Sequence, residues 1–166
     1  MGCCRSPRCS INPNTPWAHE IRAEQGDAYS SSINPINHDH YGWPDAPRFA
    51  FHPLAGSDFV EIPVTTAMLG SRRIGAGGGG FFRLLPYAYS RWAVRQVNAE
   101  ARPGIIYFHP WEIDPGQPRV ANAPLKSKLR HYTKLDAMAG KLKRLIGDFK
   151  WDRLDRIVEQ EKAKLA

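Results

Sequence analysis

The sequence predicts an α/β fold built on parallel strands, and two observations carry that expectation. Segments rich in β-branched and apolar residues alternate with segments of helical period, as they do when crossover helices join parallel strands. One segment, Ile105 to Phe108, is apolar at every position, the pattern of a strand buried on both faces. With 166 residues the chain is long enough for one domain with a real core.

The elements follow in order. "NPNTPWAHEIRAEQG" reads as a short helix, with Thr15 as its cap, Pro16 in the first turn and Gly26 at its exit. Trp17, Ile21 and Ala18 are expected to face inward. "DAYSSSINPI" reads as a strand entering a loop. From Asn34 to Gly56 the chain is proline-rich and without period, which predicts a long irregular connection. "DFVEIPVTTAML" is the next expected strand, with Val60, Ile62, Val64 and Thr65 β-branched. "GAGGGGFFRLLPY" is a glycine-rich loop running into a helix over about 85–99 that carries Trp92, Val94 and Val97. "GIIYFH" is the third strand. In the tail, Leu135, Met138, Leu142, Leu145, Ile146 and Phe149 keep the spacing of one helix face, and Leu154, Ile157 and Val158 continue it. The final "EQEKAKLA" is expected to fray. The division expected is a body over 1–120 and a basic, amphipathic helical extension over 121–166.

Charge is concentrated at one end. The chain carries a formal +7, and residues 126–166 hold 12 Lys or Arg against 6 Asp or Glu, a net +6. Acids interleave with the bases, which favours a solvated helix face over a nucleic-acid grip. No stretch approaches the apolar length of a membrane span, and no charged segment followed by an apolar core opens the chain; the expectation is a cytoplasmic protein. Cys3, Cys4 and Cys9 sit together at one end in no zinc-site spacing; free thiols near a loose end are expected.

Three stretches invite chemistry. His109 ends the apolar strand, and in parallel α/β folds active sites gather at such ends. Imidazole exchanges protons near neutral pH, so His109 reads either as a proton donor or as a strand-end ring bonded to a nearby carbonyl. Trp111 is placed to wall such a site, and Glu112 to hold the ring or stand in solvent. "HDHYG" offers two histidines of an extended H-x-H, too few for a metal site. "AGGGGFFR" has glycines able to cradle an anion, but no Lys-Ser/Thr follows them, which argues against a nucleotide loop.

Taken together, "YSSSINPINHDHYGWPDAPR", "EIPVTT", "GGGGFFRLLPY", "IIYFHPWEIDP" and "LKSKLRHYTKLDAM", in that order, resemble the C-terminal half of polysaccharide deacetylases of the NodB-homology superfamily. The likeness is greatest to the branch found with bacterial exopolysaccharide and protein-sorting gene clusters, which carries a C-terminal extension, and it runs from about Cys4 to Ile157. The resemblance implies the C-terminal part of a distorted (β/α) barrel that hydrolyses N-acetyl groups on a polysaccharide with a divalent metal, commonly zinc. It implies that His109 is the general acid and that Arg5, in the degraded R-x-P of "CRSP", orients the catalytic aspartate. It implies substrate-groove roles for Trp111, Gly78, Gly79 and Phe81, and an N-acetylated polysaccharide as partner.

The family's Asp-Asp and H-x-x-x-H motifs, which supply base and metal ligands, precede R-x-P and do not occur in these 166 residues. The expectation is therefore a truncated deacetylase that binds no metal and is inactive alone, with a missing N-terminal half as a further partner. The alternative is a non-catalytic glycan-binding or assembly module.

Overall fold

The computed structural model describes residues 2–6, 9–38 and 41–165. Three parallel strands lie side by side in chain order, β1 (Gly2–Cys4), β2 (Asp27–Ser30) and β3 (Val60–Glu61). The parallel path continues past them. Ile62 N–H donates to the Ser30 carbonyl, Val64 to Ile33, Thr65 to Ile105 and Tyr107 to Gly77. The expected strand around Ile105 is therefore an extended tract with one parallel bridge, Gly78 to Tyr107. It is bounded by Pro103 and Pro110, and proline cannot donate to a ladder. Its burial is also uneven: Ile105 is buried, whereas Phe108 is 37% exposed.

The single strand expected over 58–69 is two elements. Pro63 interrupts the donors after β3, and beyond Thr65 the chain forms an antiparallel hairpin of β4 (Thr66–Leu69) and β5 (Arg72–Gly75). Leu69 pairs with Arg72, so Gly70 and Ser71 form a two-residue turn, with Gly70 at φ +58°.

Helix α1 (Ala18–Glu24) corrects the expected cap and face. Thr15 does not cap it; its hydroxyl accepts the Asn12 amide at 3.0 Å and donates to the Ser10 carbonyl at 3.3 Å. Trp17 and Ile21 are about half exposed, at 54% and 48%. His19 turns inward instead, because fully buried Glu61 needs a partner and finds its Nε2 at 3.2 Å. Ala18 does pack inward, beside Ile11, Ile33 and Ala46, and Gly26 leaves the helix at φ +83°.

The loop over 34–56 is irregular, yet Ile36 and Ala46 are core residues. Pro86 separates α2 (Gly79–Leu84) from α3 (Tyr87–Ala99), which sends Val94 and Val97 inward and leaves Trp92 at the surface. Three helices follow, α4 (Leu125–Tyr132), α5 (Leu135–Asp148) and α6 (Leu154–Leu165). Met138 and Leu145 of α5 share a core with Phe82 and Val94; Ile146, a helical step to the side of that stripe, is 57% exposed. Val158 of α6 packs with Tyr29, Val60, Ile62 and Ile105, and Leu165 joins them. The expected fraying is corrected by this contact and by buried Glu161, which pairs with Arg102 at 2.8 Å and Lys164 at 2.6 Å. Helices α5 and α6 thus complete the cores of the body.

Candidate functional site at the strand ends

Tyr107 and His109 stand two apart on extended backbone, so their side chains leave on the same side. His109 is exposed. Its ring lies 6.0 Å from the Tyr107 ring, edge to face, and 5.9 Å from the nearly parallel Trp111 ring. Among the described residues no backbone carbonyl partners the imidazole, so the carbonyl-bonded alternative is not the arrangement observed; the side chain instead faces the Glu112 amide in a capping box.

What fixes His109 is its backbone. Pro110–Ile113 form a 3-10 turn. The His109 amide donates to Glu112 Oε2 at 2.9 Å, and the Glu112 amide to the His109 carbonyl at 2.9 Å. Glu112 is only 2% exposed, so it neither holds the ring nor stands in solvent. Its carboxylate rests against Gly79, the first residue of α2, where a Cβ would come within 2.1 Å of Oε2. Helix amino ends favour negative charge. Arg83, 1% exposed, supplies the countercharge with Nε 3.8 Å from Oε1. Its two terminal nitrogens donate to the backbone carbonyls of Arg130 and His131. Burial pulls the Arg83 guanidinium below its usual range, and Glu112 opposes that shift. Arg83 therefore ties three elements to one buried carboxylate: α2, the 3-10 turn and the end of α4.

Arg5 reaches the same place from the other end of the chain. Its guanidinium lies 4.7 Å from the Tyr107 ring centroid and donates to Ser31 Oγ at 2.8 Å. Cys9 Sγ is 3.8 Å from Arg5 Nη1 and bonded to the Tyr107 hydroxyl. Burial raises both the Cys9 thiol and the Tyr107 phenol above their usual ranges. Both stay protonated at neutral pH, and Arg5 is the cation of this group. Cys9, expected at a loose end, is 1% exposed.

The structure thus brings Arg5 and His109 together, through Tyr107. Trp111, expected to wall the site, has His131 stacked on it at 3.9 Å and Arg83 5.3 Å from its centroid, so part of its ring surface is already used. Burial, with Arg83 adding to it, holds the His131 imidazole below the ordinary histidine range. The groove roles expected of Gly78 and Gly79 are corrected: both are buried, Gly78 against Tyr107 and Gly79 against Glu112. Phe81 covers Gly75, where a Cβ would meet its ring at 2.7 Å. "YSSSINP" is internal too, with Ser30 to Asn34 all buried. There Glu61 accepts the amides of Ser32 and Ile33 at 2.7 and 2.8 Å. Tyr107, its bond to Cys9, and His131 were missed by sequence reasoning; the two-residue step from Tyr107 to His109 was the available signal for the first.

Among the described residues no three His, Cys, Asp or Glu side chains converge on a point that would hold a metal, and the residues above do not fit the implied zinc. Asp39 and His40 of the H-x-H stretch, and Pro7 of R-x-P, lie outside the described residues; His38 stacks on Tyr41 at 3.9 Å. Among the described residues no helix is long and apolar enough to cross a membrane.

No curated protein and no solved structure matches the chain. Residues 31–159 match a family described as a domain of unknown function (DUF3473). That span begins at Ser31, the partner of Arg5, and takes in Tyr107, His109, Glu112, His131 and the first half of α6. The chain belongs to the DUF3473 family.

Proposed function

We propose that this surface is the leaving-group side of a polysaccharide N-deacetylase, with His109 as the proton donor. In amide hydrolysis water adds to the acetyl carbon, the C–N bond breaks, and the departing amine must gain a proton; an imidazole at the rim of the site supplies it. The observation that carries the reading is the exposed His109 ring at the strand ends, beside a half-buried, Arg5-capped tyrosine. Two further points support it. The ordered motifs resemble the C-terminal half of a distorted (β/α) barrel, and the matched domain is associated in many proteins with polysaccharide deacetylase. Arg5, held by Ser31 and Tyr107, is then the residue that orients a carboxylate base. That base and the metal ligands belong, in this reading, to polypeptide outside these 166 residues, and the chain alone releases no acetate.

The test is reconstitution. The chain is mixed with, or fused behind, a segment carrying Asp-Asp and H-x-x-x-H, and acetate release from an N-acetylated oligosaccharide is followed with and without zinc. Activity is expected only in the completed assembly, and His109→Ala lowers it roughly a hundredfold or more. Undiminished activity in His109→Ala overturns the assignment. Glycan binding without turnover in the completed assembly identifies a binding module instead.

A further inference from the structure

A groove of about 390 Å³ opens beside α4, lined by Arg119, Val120, Lys128, Leu129, Tyr132 and Thr133. It is connected to the His109 surface by packed rings. Trp111 stacks on His131, His131 meets Tyr132 edge-on at 4.7 Å, and Arg119 lies 5.0 Å from the Tyr132 centroid. The groove is built rather than incidental. The Tyr132 hydroxyl accepts the Val120 amide at 3.0 Å, and Lys128 Nζ donates to the Ala121 carbonyl at 2.6 Å.

Its charge is one-sided. Residues 115–135 contain Arg119, Lys126, Lys128, Arg130 and Lys134 and no Asp or Glu, unlike the interleaved helices that follow. Among the described residues Arg119 makes no ion pair; its recorded contact is the Tyr132 face. Next to it, Val120 and Leu129 are 62% and 59% exposed. An exposed apolar wall beside an unneutralised, pre-oriented guanidinium suits a ligand with a C–H face and a carboxylate. A uronic-acid unit has both, and guanidinium groups recognise carboxylates bidentately.

We infer that this groove is a subsite for an acidic sugar, so that the polysaccharide acted on carries carboxylates near its N-acetyl groups. The inference rests on the deacetylase reading above for the claim that one glycan spans both places. Lys128 sets the positive field and Tyr132 holds the guanidinium plane.

The test uses the full chain titrated with a uronic-acid oligosaccharide and with a neutral N-acetylglucosamine oligosaccharide of equal length, followed residue by residue by NMR. The acidic oligosaccharide should bind roughly tenfold tighter, the effect of one charge-assisted contact. The preference should shrink as salt is raised. Arg119→Gln should abolish the preference while leaving the fold unchanged. Equal affinity for the two oligosaccharides, or a preference that survives Arg119→Gln, overturns the inference. So does stronger binding of single-stranded DNA or of phosphatidylglycerol vesicles at the same groove. Shifts at Arg119 to Tyr132 with His109 and Trp111 unmoved would uphold the subsite and count against the deacetylase reading alone.

Discussion

Removing the carboxylate of Glu112 tests whether the candidate site is held by a buried charge pair. In Glu112→Ala, Arg83 loses its countercharge while remaining 1% exposed, and the His109 amide loses its acceptor. Breaking a buried pair by deleting one partner costs about 3–5 kcal/mol. Arg83 keeps its two backbone carbonyls, which places the expected loss near the lower end, about 3 kcal/mol. A domain's whole stability is about 5–15 kcal/mol, so the change is readily measured by urea unfolding. Glu112→Gln keeps an acceptor for the His109 amide and should lose less. Arg83→Met removes the stranded cation, so the double variant should be less destabilised than the two single losses added together, by about 1–3 kcal/mol. Hydrogen exchange at the His109 amide should quicken in Glu112→Ala and much less in Glu112→Gln. A Glu112→Ala protein within about 0.5 kcal/mol of the parent, or additive single losses, would refute the pairing.

Other expectations are independent of that pair. Gly77→Ala places a Cβ 2.3 Å from the Ile105 carbonyl oxygen and 2.8 Å from the Thr65 nitrogen, so it should cost about 3 kcal/mol and broaden the Tyr107 and His109 resonances. Glu161→Ala should loosen α6, speeding amide exchange there at a cost of about 1–2 kcal/mol, small because Arg102 and Lys164 are partly solvated. Cys9 should react with a thiol reagent only as fast as the chain opens, since its thiol is buried and held in the protonated form. His131 is held below the ordinary histidine value, so the unfolded chain binds its proton more readily. Its contribution is present above that ordinary value and is lost as pH falls through the lowered one; melting temperature against pH should flatten there in His131→Asn.

What was legible in the sequence, and what was not, divides by the range of the physics. The α5 stripe of Leu135, Met138, Leu142, Leu145 and Phe149 was legible because a 3.6-residue period is a local pattern and its core needs only an apolar partner. The face of α1 was not. Its apolar residues suggest burial of Trp17 and Ile21, but Glu61, distant in sequence, demands His19, and a buried charge outweighs the exposure of two partly covered apolar side chains. His109 was legible as a strand end, whereas the stacking of His131 on Trp111 has no signature in either segment. The glycine run shows the same division within one motif. "GGGG" before a helix reads correctly as a place where backbone leaves room for an anion at a helix amino end. The anion found against Gly79 is the protein's own Glu112. Because that carboxylate also receives the His109 amide, the loop's role is to seat the strand end that presents the imidazole. A Cβ at Gly79 would displace the candidate proton donor without touching it.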